Sequence, residues 1–166
     1  MKLNTLLLGL FIVVILQSCT NKAEQTSSNQ LSEQMKNQIS SEIMEVSNQW
    51  INGNKNLNAD KAIQFWSNSP DLRFAENGQF FANRDSIYAT LNNYYSITNT
   101  LNVEWLNRKI SPLSNSTALM SGEFHFSLNF KDGSSWQGTN AFTGVFIKEN
   151  GEWSLIQGQE TTRTNE

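Results

Sequence analysis

Cysteine is almost missing from this chain. Its 166 residues contain one, Cys19, so no disulfide can form within a single copy and the fold must be held by its core. Histidine is as scarce, with His125 alone. One histidine, one cysteine and no close carboxylate pair in the sequence make no zinc set, and the Asp-rich spacing of a calcium loop is absent, so no metal is expected. Gly133, Gly144 and Gly151 serve turns and bends and form no phosphate loop, and no cofactor is expected. Basic residues are few as well, 12 Lys and Arg against 15 Asp and Glu. Nucleic-acid binding rests on clustered Lys and Arg that neutralise phosphates, so that class is set aside. Apolar runs are short: the longest, Leu6 to Leu16, has 11 residues, against roughly 20 needed to span a bilayer as a helix. What the chain does have is 38% apolar content and five tryptophans, enough for one compact core.

The first residues do not belong to that core. Lys2 followed by the apolar run reads as a signal peptide. Leu16-Gln17-Ser18-Cys19 resembles the bacterial lipobox, in which a small residue precedes a cysteine that is lipidated and becomes the first residue of the mature chain. The resemblance implies a signal peptide over 1–18 and a lipid anchor on Cys19, with two or more acyl chains for stable attachment. Its removal takes Lys2 and no acid, moving the formal charge from −3 to −4. Residues 19–30, nearly all polar, read as a solvated tether, and 31–166 as the domain. The implied location is the cell envelope, on the outer membrane or the periplasmic face, with the membrane as a partner through Cys19.

From Leu31 the pattern is helical. Leu31, Met35, Ile39, Ile43, Val46 and Trp50 make one stripe, which Gly53 is expected to end. Asn58 can cap a short helix carrying Ala62, Ile63 and Trp66, closed by Pro70. Leu72 to Ala75, a Glu76-Asn77-Gly78-Gln79 turn and Phe80-Phe81 read as a small hairpin. Asn83 can cap a third helix with Ile87, Leu91 and Tyr94 or Tyr95 buried. Four long strands follow. Leu101 to Ile110 alternates and ends at Pro112. In the next, Met120, Gly122, Phe124, Phe126, Leu128 and Phe130 share one face, with Ser121, Glu123, His125, Ser127 and Asn129 on the other. An Asp132-Gly133 turn leads into Ser135 to Lys148, and Asn150-Gly151 into Trp153 to Gln157. The expected class is α+β, a strongly bent antiparallel sheet wrapped around three N-terminal helices.

Phe65-Trp66 to Pro70, the run from Leu72 through Asn77-Gly78 and Arg84-Asp85-Ser86-Ile87, and the closing Phe142 to Ile156 resemble the SnoaL-like branch of the nuclear transport factor 2-like superfamily over about residues 40 to 162. The resemblance implies a cone-shaped half-barrel with a cavity between sheet and helices, and often a homodimer through the exposed sheet face. It does not fix function, because such folds carry isomerases, dehydratases, hydrolases and proteins that only bind.

His125 and Glu123 share a strand face, so an imidazole oriented by a carboxylate is chemically possible, but parity gives the cavity to Phe124 and Phe126 instead. Relatives with activity place an Asp base beside Tyr or Arg, and here Gln157 and Gln159 stand where many carry His or Asp; glutamine exchanges no proton at neutral pH. The expected function is binding of a small, largely apolar ligand without catalysis, with Trp105, Trp136, Tyr88, Asn140 and Gln157 as ligand contacts. One alternative is an isomerase-, dehydratase- or hydrolase-type enzyme using Asp71, Arg73 or Glu160. Another is a protein-interaction module presenting the Ser121, Glu123 and His125 face.

Overall fold

The computed structural model describes residues 31–164. The signal peptide, Cys19 and the tether lie outside the described residues. Helix α1 spans Glu33–Lys55, and Ser32 caps it by accepting a hydrogen bond from the Met35 N–H. Its buried side is Ile39, Ile43, Ser47, Trp50, Ile51, Gly53 and Asn54, while Met35 is exposed. Gly53 does not end the helix. It sits inside the last turn because α2 crosses there: a Cβ on Gly53 would lie 2.7 Å from the Ala62 amide nitrogen. The stop comes later, where Leu57 takes a left-handed φ of 51°.

Helix α2 (Ala59–Ala62) continues as a 3-10 turn over Ile63–Phe65, and Asn58 caps it through Lys61 N–H. Pro70 lies beyond its end, since Trp66 is already extended. Strands β1 (Arg73–Glu76) and β2 (Gln79–Phe81) form the small hairpin. Both turn residues have positive φ, 46° at Asn77 and 87° at Gly78, which suits the twist of paired strands. Helix α3 (Arg84–Ile97) is capped by Asn83, whose side chain accepts from Ser86 N–H.

The sheet is completed by β3 (Thr98–Ser114), β4 (Thr117–Phe130), β5 (Ser135–Glu149) and β6 (Glu152–Thr164) in the order β2-β1-β6-β5-β4-β3. Pro112 does not end β3. It is accommodated because β3 is an edge strand, where a missing N–H leaves no gap between neighbours. The long strands form the expected meander, but β1 joins β6 in parallel, so the sheet is mixed rather than wholly antiparallel. The two ends of the sheet do not pair with each other, and it stays open.

Two bulges bend it. One lies between Trp105 and Asn107 in β3, the other beside Val145 and Phe146, where β6 carries Ile156 as the extra residue. Each moves the inward face from one parity to the other. In β3 Leu101 and Val103 point in before the bulge, and Arg108 after it reaches α1, donating from Nη1 to Ser47 Oγ (2.6 Å) and Asn48 Oδ1 (2.8 Å). The helices fill the concave side over a core that includes Phe65, Leu72, Met120, Phe124, Phe142, Phe146 and Leu155. No described helix is long and apolar enough to cross a membrane.

Candidate functional site

Between the concave sheet face and the helices lies a cavity of about 160 Å³. Trp50 of α1, Trp66, Phe74, Phe124, Phe126 and Trp136 supply most of its apolar wall, and Ile87, Leu91 and Tyr94 of α3 close one side. Alternation explains these positions. On β4 the even-numbered residues face inward as expected, and on β5 the same parity brings Trp136, Asn140 and Phe142 to that face.

One corner is acidic. The parallel pairing sets Glu76 opposite Glu160, as Phe74 is set opposite Gly158. Phe74 and Glu76 share a face of β1, and the bulge at Ile156 turns Glu160 and Thr162 inward on β6. The two carboxyl groups meet on the cavity wall. Burial pushes Glu160 well above the usual carboxylate range and the charge of Glu76 pushes it further, against the lowering effect of the Asn140 amide. Burial also raises Glu76, and the hydrogen bond from Glu160 offsets part of that. The pair therefore holds a proton above the range in which a lone carboxylate loses it. Asn140 Nδ2 donates to Glu160 Oε1 at 3.0 Å.

The remaining polar groups are sparse. The Tyr94 hydroxyl is pushed up to about 12, by burial first and then by Glu76 and Glu160, so it stays a neutral phenol. The Tyr95 hydroxyl donates to Asn54 Oδ1 at 2.8 Å. Three cavity-wall atoms are buried without a hydrogen-bond partner: Trp50 Nε1, Trp66 Nε1 and Asn140 Oδ1. Among the described residues, no Lys, Arg or His lines the cavity.

Of the residues singled out in the sequence, the structure brings Glu160, Asn140 and Trp136 together on the cavity wall. Trp105 stands behind that wall, its ring edge-to-face with Phe124 (centroids 5.0 Å apart) and tilted against Trp50 (5.9 Å), with its indole N–H buried and unpartnered. The others lie elsewhere. Asp71 is exposed. Arg73 is exposed too, and its Nη1 donates to the carbonyls of Pro70, Leu72 and Ala82. Tyr88 faces out from α3 and donates to Asp60 Oδ1 at 2.7 Å. Gln157 is exposed because the bulge beside it reverses the parity that Trp153 and Leu155 set. Glu123 accepts from Asn107 Nδ2 on the outer sheet face, at 2.8 Å, with no bond to His125. Glu76, which the sequence places beside Asp71 as a carboxylate of the small hairpin without assigning it a role, joins Glu160 on the cavity wall. Its signal was modest: it stands two residues after Phe74, on the face that Phe74 buries.

The architecture is that of a conical α+β half-barrel, and comparison with known proteins agrees. The model of the SnoaL-like domain matches residues 43–161, and the chain belongs to that family. No curated protein matches. Among solved structures, the chain is similar to a nuclear transport factor 2-like superfamily protein from Salmonella enterica serovar Typhimurium, at 15% identity and TM-score 0.70, over 78% of this chain and 94% of that one. A conserved protein from Planctomyces limnophilus aligns at 13% identity and TM-score 0.70, over 78% and 99%. A type 2 hexachlorocyclohexane dehydrochlorinase aligns at 12% identity and TM-score 0.69, over 80% and 90%. At these identities the likeness speaks for the fold alone.

Proposed function

We propose that this chain is a binding protein that takes one small, largely apolar molecule into the cavity, and that lipid on Cys19 holds it on a membrane of the cell envelope. The observation that carries the binding reading is the cavity: about 160 Å³ with aromatic walls and a single acidic corner. An apolar cavity of about 150 Å³ takes a benzene-sized molecule, so the occupant is one ring with short substituents. The anchor is supported by the lipobox-like Leu16 to Cys19, which contains the chain's one cysteine. The outer sheet face, where Leu106 and Leu119 are exposed beside Glu123 and His125, is the surface offered to a second copy.

A second reading is favoured by the state of the pair. Two carboxyls side by side on the cavity wall, sharing a proton, have the chemistry of a general acid and base that could act on a bound molecule. Binding alone remains the better-supported reading, because what the cavity wall presents beyond this corner is a neutral phenol, amides, threonine hydroxyls and indole N–H groups.

Native mass spectrometry of residues 31–166, purified from the native host, tests the binding reading and reports subunit number together. The expected result is a co-purifying small molecule that is lost on Trp136→Ala. Protein that stays empty, and remains so when offered benzene-sized ligands, overturns it. Cys19→Ser should move the full chain from the membrane fraction to the soluble one; unchanged membrane association overturns the anchor.

A further inference from the structure

Among the described residues, no lysine, arginine or histidine faces the acidic corner of the cavity. Glu76 and Glu160, both half-buried, meet in a largely apolar cavity, where a negative charge drawn from water without a countercharge is unfavourable. The groups that face the pair from neighbouring elements are neutral: Tyr94 from α3, Asn140 from β5 and Thr162 farther along β6. Asn140 spends its amide nitrogen on Glu160, and its Oδ1, in a residue only 4% exposed, is left with no donor. Three oxygen-bearing groups, two carboxyls and one amide, are thus gathered around one corner. The walls next to them are aromatic, Trp66, Phe74, Tyr94 and Trp136, and aromatic faces attract cations.

We propose that the cavity's ligand is a primary amine on a single apolar ring, its ammonium seated among Glu76, Glu160 and Asn140 Oδ1. This rests on the binding reading above and names the ligand class for that site. A primary ammonium carries three N–H donors, as a lysine head does, matching the three acceptor groups. It supplies the missing positive charge, and its ring occupies the apolar remainder of the 160 Å³. The association is non-covalent. As the cation enters, the pair keeps one proton between its two carboxyls, so that one ammonium charge meets one carboxylate charge and the corner becomes neutral. Affinity therefore rises with pH across the range in which the pair gives up the first of its two protons.

The test is calorimetric titration of the full-length protein in a neutral detergent, with detergent-only blanks, using benzylamine, benzyl alcohol and toluene. At neutral pH benzylamine should bind about tenfold or more tightly than benzyl alcohol, the margin of hydrogen bonds to charged over neutral groups. Its titrations in two buffers of unlike ionisation heat should show proton release only in acid, where both carboxyls are protonated, and its affinity should rise as the pH climbs out of that range. Replacing both carboxyls, Glu76→Gln with Glu160→Gln, should bring benzylamine down to the level of benzyl alcohol in protein shown by circular dichroism to be folded; if the double variant does not fold, Glu76→Gln alone makes the same test. Benzyl alcohol or toluene binding as tightly as benzylamine overturns the amine assignment and leaves the binding reading standing. No binding by any of the three overturns both.

Discussion

Glu160→Gln should change how the stability of this domain depends on pH. The folded-state pKa values of Glu76 and Glu160 are raised above the ordinary value of 4.5 by burial, and that of Glu160 further by its neighbour's charge. Above that value the folded chain binds more protons than the unfolded one, so stability falls as pH climbs from the unfolded pKa through the folded one. Each proton of difference is worth about 1.4 kcal/mol per pH unit while the window lasts. For a domain of this size that corresponds to roughly 3–5 °C in Tm per pH unit. Glu42 acts in the opposite sense: hydrogen bonds from Lys148, Gln38 and Trp153 lower it to about 2, so its contribution is lost as pH drops below 4.5. The wild type should therefore be most stable in mild acid and lose Tm towards pH 8. Replacing Glu160 by glutamine keeps a partner for Asn140 and removes the like-charge neighbour of Glu76. The slope above about pH 5 should flatten by close to one proton's worth, and the variant should melt higher than wild type at pH 8. Thermal unfolding followed by circular dichroism at half-unit pH steps reads both curves. Parallel curves for the two proteins would refute the reasoning.

Three further outcomes follow from the packing. Gly53→Val drives a side chain into the Ala62 backbone where α1 and α2 touch, and should lower stability in urea by about 1–3 kcal/mol as an overpacking change. Phe146 is fully buried, 5.3 Å from Phe65, and Phe146→Ala should cost about 3–5 kcal/mol by the same measurement. Asn83→Ala removes the 2.9 Å bond that caps α3 and should cost about 1 kcal/mol. Because α3 closes one side of the cavity, hydrogen exchange at Ser86 and Ile87 should speed up as well.

Much of the fold was legible because local chemistry repeated the global pattern. Asn58, Asn83 and the Asn77-Gly78 turn all do what their side chains and φ preferences dictate. The parity of β4 runs unbroken from Met120 to Leu128, so its inward face could be read directly. Parity failed where a bulge intervened. The alternation that starts at Trp153 and Leu155 assigns Gln157 to the cavity and Glu160 to solvent, and the extra residue at Ile156 reverses both. Nothing in Leu155-Ile156-Gln157-Gly158 announces a bulge, because it is fixed by pairing with Val145 and Phe146 on β5. The Glu76–Glu160 pair was illegible for a related reason. The residues are 84 positions apart in the chain, and they meet through a parallel pairing between a four-residue strand and the last one. Gly53 misled in another way, since a glycine near a helix end serves a close crossing as readily as a stop.

The most direct test of the central claim, an acidic pair inside an apolar ligand cavity, is carbon-detected NMR titration of the glutamate side-chain carboxyl carbons, with Glu76→Gln and Glu160→Gln for assignment. Two resonances should titrate above the other glutamates in coupled steps, and benzylamine should shift those two carboxyl carbons and leave the exposed glutamates in place. Titration of Glu76 and Glu160 together with the exposed glutamates, unmoved by the ligand, would contradict the claim.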